Sequence, residues 1–385
     1  MGNLYQKRDQ IPKALATLQS TLSEAEAKLG PSHSLTLATL FALAVLYRKT
    51  SNLALAQTLC ERALAGYSAS FEPNHPSALA ATNMLAVIHA EQNLLPSAET
   101  LYRRALLGYE ALLGPEATAT LSVVNNFGLF YLERMNNLEE AAKLFRRAVR
   151  GHEINDGPTH PATLSAVNNM ALVHQRQGRL REAEEGFQRV VRGYGVIYGG
   201  GHTSTLRAMA SLGNLYVDMG RSGEAEPLCK TALEGCEGTL GWDNTLTLKI
   251  ARMLGNTYGA QGRLEEAEGV LRRALEGMER RGEMGLVEAE TSQDLAQVLE
   301  DQGKLSDAEG MYVKALEGFK TRLGPNHEYT LGSLGNLGSN LARQGRAKEA
   351  TELFKECLAG YERTLGASHP SADGMRQAVR YWSTR

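Results

Sequence analysis

The chain is expected to fold as an all-α solenoid of stacked helix pairs, and three observations carry that expectation. A loop motif recurs at steps of 42, 42, 43, 42, 42, 83 and 42 residues, anchored at His33, His75, Ala117, His160, His202, Asn244, His327 and His369. Small residues return in fixed columns behind each anchor. Between the loops, apolar positions recur every three to four residues, the period of an amphipathic helix.

The motif reads LGPSHSLTL, EPNHPSAL, LGPEATATL, GPTHPATL, GGGHTSTL, LGWDNTLTL, LGPNHEYTL and LGASHPSA. The 83-residue step is two units less one residue, and a degenerate anchor at Gly285, within RRGEMGLVEAE, fills it. Counting from each anchor, +11 holds Ala44, Ala86, Gly128, Ala171, Gly213, Gly255, Ala296 and Gly338. Alanine dominates +23, from Ala56 to Ala350, and +30 runs from Ala63 to Cys357. The break between the two helices falls near +18, at Gly178, Gly220, Gly262, Gly303 and Gly345.

Small residues at matched heights let two successive helices pack closely as an antiparallel pair. So short a pair cannot bury its apolar face alone, so neighbours must stack. A single solenoid over 1–385 follows, with a truncated first repeat at 1–29, eight complete repeats over 30–366 and a capping helix at 367–385, about 19 helices in all. Residues 2–5 (GNLY) match the +11 to +14 columns of a preceding unit, which puts Met1 inside a first helix and makes 11–29 its partner. Arg376, Arg380 and Arg385 suggest a polar capping face, and both ends read as cut from a longer protein.

Glycine fills +33 in all eight repeats, at Gly66, Gly108, Gly151, Gly193, Gly235, Gly277, Gly318 and Gly360. A mid-helix glycine is worse than alanine by about 1 kcal/mol, so the column needs a packing cause. The expectation is close backbone approach to the first helix of the next repeat.

The series L-G-x-x-Y (Leu212, Gly213, Tyr216) and A-x-x-x-F (Ala141 with Phe145, Ala183 with Phe187, Ala350 with Phe354) resembles the tetratricopeptide repeat. The unit has 42 residues rather than the 34 of the common form. With the loop LGPxHPxT it looks like the kinesin light chain and nephrocystin-like type, with a flavour similar to the repeat arrays of filamentous fungi. The resemblance implies a right-handed superhelix whose first helices line a concave groove, a cytoplasmic scaffold that binds protein segments, and no catalysis.

Composition is consistent with that reading. With 41 basic and 43 acidic side chains the formal charge is −2, which gives no clustered cation excess for nucleic acid or an anionic membrane. The longest apolar run, Thr36 to Tyr47, is short of the roughly 18 residues of a membrane span. MGNLYQKRDQ has no apolar core of a signal peptide. Four scattered cysteines, Cys60, Cys229, Cys236 and Cys357, form no disulfide framework, in keeping with a reducing compartment.

Six of nine histidines share the loop column, yet they lie one repeat apart, roughly 10 Å by helix packing, whereas ligands must sit ~2 Å from one ion. They read instead as helix starts, preceded by a glycine that ends the previous helix. His89 and His174 occupy +14, where other repeats place tyrosine, and read as packing residues. No serine or cysteine stands out as a nucleophile, and YGGGH at 198–202 lacks the Lys-Ser/Thr of a phosphate loop. No metal or cofactor is expected.

The candidate site is the groove face of the first helices, at +5, +8, +9 and +12. Asn83, Asn125, Asn126, Asn168, Asn169, Asn214, Asn256 and Asn336 stand there. Asparagine is a mediocre helix former, but its amide can both donate to and accept from an extended peptide main chain. VNNFG and VNNMA match the paired-asparagine motif of kinesin light chains, which implies contact with cargo peptide. A ladder of asparagines bonding one another is the alternative. Arg207, Lys249 and Arg252 form a basic patch; Glu290, Asp294, Glu300 and Asp301 form an acidic one. The patches either steer an acidic partner segment or pair across the repeat boundary. The expected role is the sensor or scaffold part of a larger receptor-like protein. A kinesin light chain-like cargo adaptor and a scaffold self-associating through terminal repeats are the alternatives.

Overall fold

The computed structural model describes residues 11–72, 74–281 and 285–384, among which lie eighteen helices and no strand. They are α1(Ile11–Leu29), α2(Ser34–Lys49), α3(Leu53–Ser70), α4(Pro76–Glu91), α5(Leu95–Leu113), α6(Thr118–Glu133), α7(Leu138–Asp156), α8(Pro161–Arg176) and α9(Leu180–Tyr198). There follow α10(Thr203–Asp218), α11(Ser222–Leu240), α12(Thr245–Ala260), α13(Leu264–Arg280), α14(Leu286–Asp301), α15(Leu305–Leu323), α16(Glu328–Arg343), α17(Ala347–Leu365) and α18(Pro370–Trp382). The expected partial helix at Met1 and the expected capping residue Arg385 lie outside the described residues. By contacts the chain divides into two compact units, 1–166 and 167–385.

The even-numbered helices α2 to α16 are 16 residues each and start one residue after each anchor. The anchor is a cap. The Nδ1 atoms of His33, His75, His160, His202, His327 and His369 accept a hydrogen bond from the backbone N–H two residues on, at 3.2 to 3.3 Å. Asn244 does the same with Oδ1 at 2.9 Å. One otherwise unpaired N–H of the first turn is thereby satisfied. Neutral rings that accept at Nδ1 carry their proton on Nε2.

A second lock, also contained in the loop motif, is the threonine at +3. Thr36, Thr120, Thr163, Thr205, Thr247 and Thr330 are buried, and each donates its hydroxyl to the carbonyl of the glycine at −3, at 2.7 to 2.9 Å. That glycine has φ between 79° and 91° in Gly30, Gly114, Gly157, Gly199, Gly241, Gly324 and Gly366, a region closed to side chains. It ends one helix and lets its carbonyl turn toward the start of the next. The +18 turn also has positive φ, and where glycine is absent Ser51, Asn93 and Asn136 adopt it.

Close approach at +33 is present, but its partner is not the one expected. A Cβ built on Gly235 would lie 2.7 Å from Leu206, one on Gly277 2.7 Å from Leu248, and one on Gly318 2.7 Å from Ala289. In each case the neighbour stands at +4 in the first helix of the same repeat. The pair is antiparallel, so the C-terminal end of a second helix comes level with the N-terminal end of its own partner. At the other end of the pair the small +11 residue meets the large +27 residue: a Cβ on Gly213 would lie 2.6 Å from Cys229 and one on Gly255 2.6 Å from Leu271.

The +27 residue also faces forward. Tyr102 stacks on Phe127 of the next first helix at 5.2 Å, and Cys60 Sγ lies 3.3 Å from the Ala81 carbonyl. First helices of successive pairs touch, as α2 with α4, α4 with α6, α10 with α12 and α12 with α14. Second helices do not approach one another to that degree, so within each unit the first helices form the inner face. On the second helices of the 167–385 unit, a basic residue at +19 bridges repeats. Arg221 reaches Glu184 (3.0 Å), Arg263 reaches Glu226 (2.9 Å), Lys304 reaches Glu268 (2.8 Å) and Arg346 reaches Glu309 (2.7 Å). Arg376 pairs with Glu362 (2.8 Å) and Asp373 (2.9 Å).

Gly235→Leu is expected to destabilise the fold by about 1–3 kcal/mol through overpacking against Leu206. Leu206→Ala in the same chain should recover part of that loss in a thermal melt, and strict additivity of the two changes would refute the contact. His202→Ala should cost about 1 kcal/mol by loss of the cap, while His202→Asn, the solution found at Asn244, should be close to neutral.

Candidate functional site

The inner face of the 1–166 unit holds a cavity of about 310 Å³ between α4 and α6. Met84, Val87, Leu129 and Phe130 make its apolar wall, and Tyr102 lies at its base. Two of the expected asparagines, Asn83 and Asn126, line it with Arg48, Glu91, Glu133 and Arg134. Arg48 Nη1 is fixed by Glu91 at 2.7 Å, which leaves its Nε buried without a hydrogen-bond partner. Asn83 Oδ1 is likewise buried and unpartnered. A donor and an acceptor without a protein partner thus lie in one cleft; Arg252 Nε and Gln293 Oε1, at +8 of two repeats in the 167–385 unit, also lack one.

The Arg48–Glu91 pair was not anticipated, although a signal for it exists. These residues stand at +15 and at +16 of the next repeat, 43 apart. The same two columns carry Glu300 and Arg343 with the charges exchanged, at 2.6 Å, and Gln175 with Asp218. Opposite or complementary residues at this spacing mark the ends of adjacent first helices.

In the 167–385 unit, the two expected charge patches meet. Arg252 sits between Glu290 (3.1 Å) and Asp294 (2.9 Å), and Asn256 Nδ2 donates to the same Asp294 oxygen at 2.9 Å. Burial works against the guanidinium charge, but the two carboxylates outweigh it and raise its pKa. The two terminal nitrogens of Arg252 and the Asn256 amide nitrogen are therefore committed within the chain, while Arg252 Nε, like Arg48 Nε, is buried without a partner; pairing across the repeat boundary is the arrangement adopted. Glu300 is buried, paired with Arg343 and holding the Tyr312 hydroxyl at 2.9 Å, so it adds no charge to the face. Arg207 and Lys249 remain exposed. Asn125, Asn168, Asn214 and Asn336 are half-buried on first helices, and Asn169 is buried.

Burial pushes the thiols of Cys60 and Cys357 up to about 12 and that of Cys229 up to about 11, with Glu61 and Glu356 adding to the first two and Thr257 opposing in the third. Burial also raises Cys236. Such thiols are packing residues, not nucleophiles. No group of three metal-ligating side chains occurs among the described residues, and no helix is long and apolar enough to cross a membrane.

Comparison with known proteins agrees with this geometry. The family profile described as tetratricopeptide repeat matches residues 43–111, 80–154, 116–194, 162–228, 204–280 and 288–363. No curated protein matches the chain. BtubC (BKLC) from P. vanneervenii is similar at TM-score 0.51 and 17% identity, over 60% of this chain and 92% of that one. A Rap protein complexed with competence and sporulation factor is similar at TM-score 0.55 and 13% identity, over 90% and 97%. A signal transduction ATPase with numerous domains from Pyrococcus horikoshii, with a tetratricopeptide repeat sensor, is similar at TM-score 0.53 and 14% identity. That match covers 85% of this chain and 49% of the other. At these identities the likeness is one of fold.

His89 is buried on α4, its Nδ1 2.8 Å from Ser97 Oγ. Burial lowers its pKa from the ordinary 6.5, and Glu61 opposes the shift. The unfolded chain therefore binds this proton more readily than the folded one, so stability is lost as pH falls below about 6.5. His89→Tyr, which installs the residue found at +14 in other repeats, should shrink the drop in melting temperature between neutral and mildly acidic buffer.

Proposed function

The chain is a member of the tetratricopeptide repeat family, and from that premise we propose that it is a non-catalytic scaffold that binds an extended protein segment on the inner face of its first helices. The observation that carries this reading is the paired deficit at the cavity of the 1–166 unit: Asn83 Oδ1 needs a donor and Arg48 Nε an acceptor. A peptide unit supplies both, its N–H to the asparagine and its C=O to the arginine. The wall of Met84, Val87, Leu129 and Phe130 takes an apolar side chain from the same segment, and Asn126 adds a second amide. A volume of about 310 Å³ suits one large side chain with its flanking backbone.

Arg207 and Lys249, rather than Arg252, are the cations left to meet an acidic stretch of partner. We place the chain in the setting of a sensor or scaffold within a larger receptor-like protein. The ATPase with a tetratricopeptide repeat sensor shows that this fold is used in that way elsewhere.

Selection of displayed random peptides on the intact chain tests the site. Selected peptides are expected to lose about ten-fold in affinity or more against Asn83→Ala/Asn126→Ala, the loss expected when a buried hydrogen bond is removed. Equal binding to parent and variant would refute the assignment. Arg207→Glu/Lys249→Glu should weaken acidic peptides alone and flatten their salt dependence.

A further inference from the structure

The loop of the second repeat departs from the rule that the other loops follow. Glycine stands at −3 from every anchor except His75, where Glu72 takes its place, and Ala78 stands at +3 where other repeats carry the threonine that bonds that glycine's carbonyl. Both halves of the hydroxyl–carbonyl lock are therefore missing. A glutamate does not readily take the positive φ that glycine has at this point. Accordingly α3 ends at Ser70, at −5, one residue earlier than α5, α7, α9 and α11, which end at −4. Phe71 leaves the helix in an extended conformation (φ −135°, ψ 169°), and its ring stacks on His75 at 4.1 Å.

The early stop leaves an open cleft of about 630 Å³ between this loop and the end of α5, with Phe71, Glu72, Asn74, His75 and Leu112 among its lining residues. The ring-on-histidine contact by itself has a structural use, since Tyr198 stacks on His202 at 4.4 Å in a loop that keeps its glycine. What the second repeat adds is charge beside an exposed apolar rim. Glu72 is the one carboxylate lining the cleft among the described residues; it is exposed and makes neither an ion pair nor a side-chain hydrogen bond there. His75 accepts at Nδ1 from the Ser77 N–H, so its neutral ring brings no opposing charge. Phe71 is 37% exposed, Leu112 43% and the adjoining Leu113 49%. Single exposed apolar residues are ordinary, but several bordering one cleft mark a contact surface.

We infer that this edge of the 1–166 unit docks a partner polypeptide through a lysine or arginine side chain that enters the cleft. The charged head meets Glu72, and the Asn74 amide oxygen accepts a further N–H. The aliphatic stem lies along Phe71 and Leu112, as the stems of long cationic side chains do on apolar surfaces. The Phe71 ring adds its own attraction for a cation within ~6 Å. The rim of Leu112 and Leu113 extends past the cleft, where the residues flanking the basic one cover it. This surface is made of the loop and the C-terminal ends of second helices, so it is separate from the asparagine-lined inner face and recognises a different part of a partner.

Selection of displayed random peptides on the full chain carrying Asn83→Ala/Asn126→Ala tests the site, because the inner-face cavity is disabled in that background. The selected peptides are expected to share a lysine or arginine next to an apolar residue. Glu72→Gln should weaken them roughly three- to five-fold, the range of an exposed ion pair, and should remove most of their salt dependence. Glu72→Lys should weaken them about ten-fold or more, since like charges then face each other. Glu72 is exposed, so both variants should keep the parent's helicity and melting temperature. Exchanging the peptide's basic residue for norleucine should cost as much as Glu72→Gln, and the two changes together little more than either alone. Selection that returns no peptide weakened by Glu72→Lys overturns the proposal, and so does strict additivity of the two losses. N-acetylarginine amide binding as tightly as the selected peptides, or Leu112→Ser leaving them unaffected, overturns the assignment to a polypeptide. These readings are taken with the inner-face asparagines removed, so they stand or fall separately from peptide binding at Asn83 and Asn126.

Discussion

The close approach of two helices within each repeat is the constraint on which the other features depend. A glycine at +33 admits the leucine at +4 at one end of the pair, and a small residue at +11 admits a large one at +27 at the other. These two contacts fix the height and spacing of the second helix against the first. The +27 residue then stands proud enough to reach the next first helix, as Tyr102 does with Phe127. Stacking between repeats is thus a consequence of packing inside them. A side chain at +33 would push the pair apart and misplace +27, which is why a residue unfavourable to helices by about 1 kcal/mol is used in every repeat.

The loops serve the same end by fixing where each first helix starts. A histidine cap, a threonine hydroxyl on the glycine carbonyl and a glycine at positive φ act on three different backbone groups of one turn. With the start fixed, the +8 and +9 side chains of successive repeats fall on one face, and the +15 and +16 side chains meet across the repeat boundary. Arg48 with Glu91 and Glu300 with Arg343 show that this last junction accepts either polarity. Arg48, tied by one nitrogen and without a partner at another, borders the cavity at this junction.

The two units put the same columns to different uses. In the 1–166 unit the +8 and +9 positions line a cavity with unsatisfied amide and guanidinium atoms. In the 167–385 unit, Arg252 at +8 pairs with Asp294 at +9, and Arg176 lies over Tyr329. Identical scaffolding therefore carries a cavity at these columns in one unit and an ion-pair network in the other, with buried side-chain atoms that lack a partner, Arg48 Nε and Arg252 Nε among them, in both.

The sequence by itself determined the repeat length, the helix pairs, their starts and stops, and the family, because these rest on local rules. Periodicity, capping and the backbone freedom of glycine are all read within a few residues, and 42-residue recurrence repeats each reading eight times. It also placed Asn83 and Asn126 on the inner face, since a column position fixes the direction of a side chain. What only the tertiary structure decided was partnership. The glycine column meets its own repeat and not the next, because antiparallel pairing sets which helix ends are level. Arg252 is paired with Glu290 and Asp294, and Arg176 lies over Tyr329 of the fourth repeat further on, contacts between residues that sequence spacing leaves apart. Column positions say where a side chain points; only the packed chain says whether another has already arrived there.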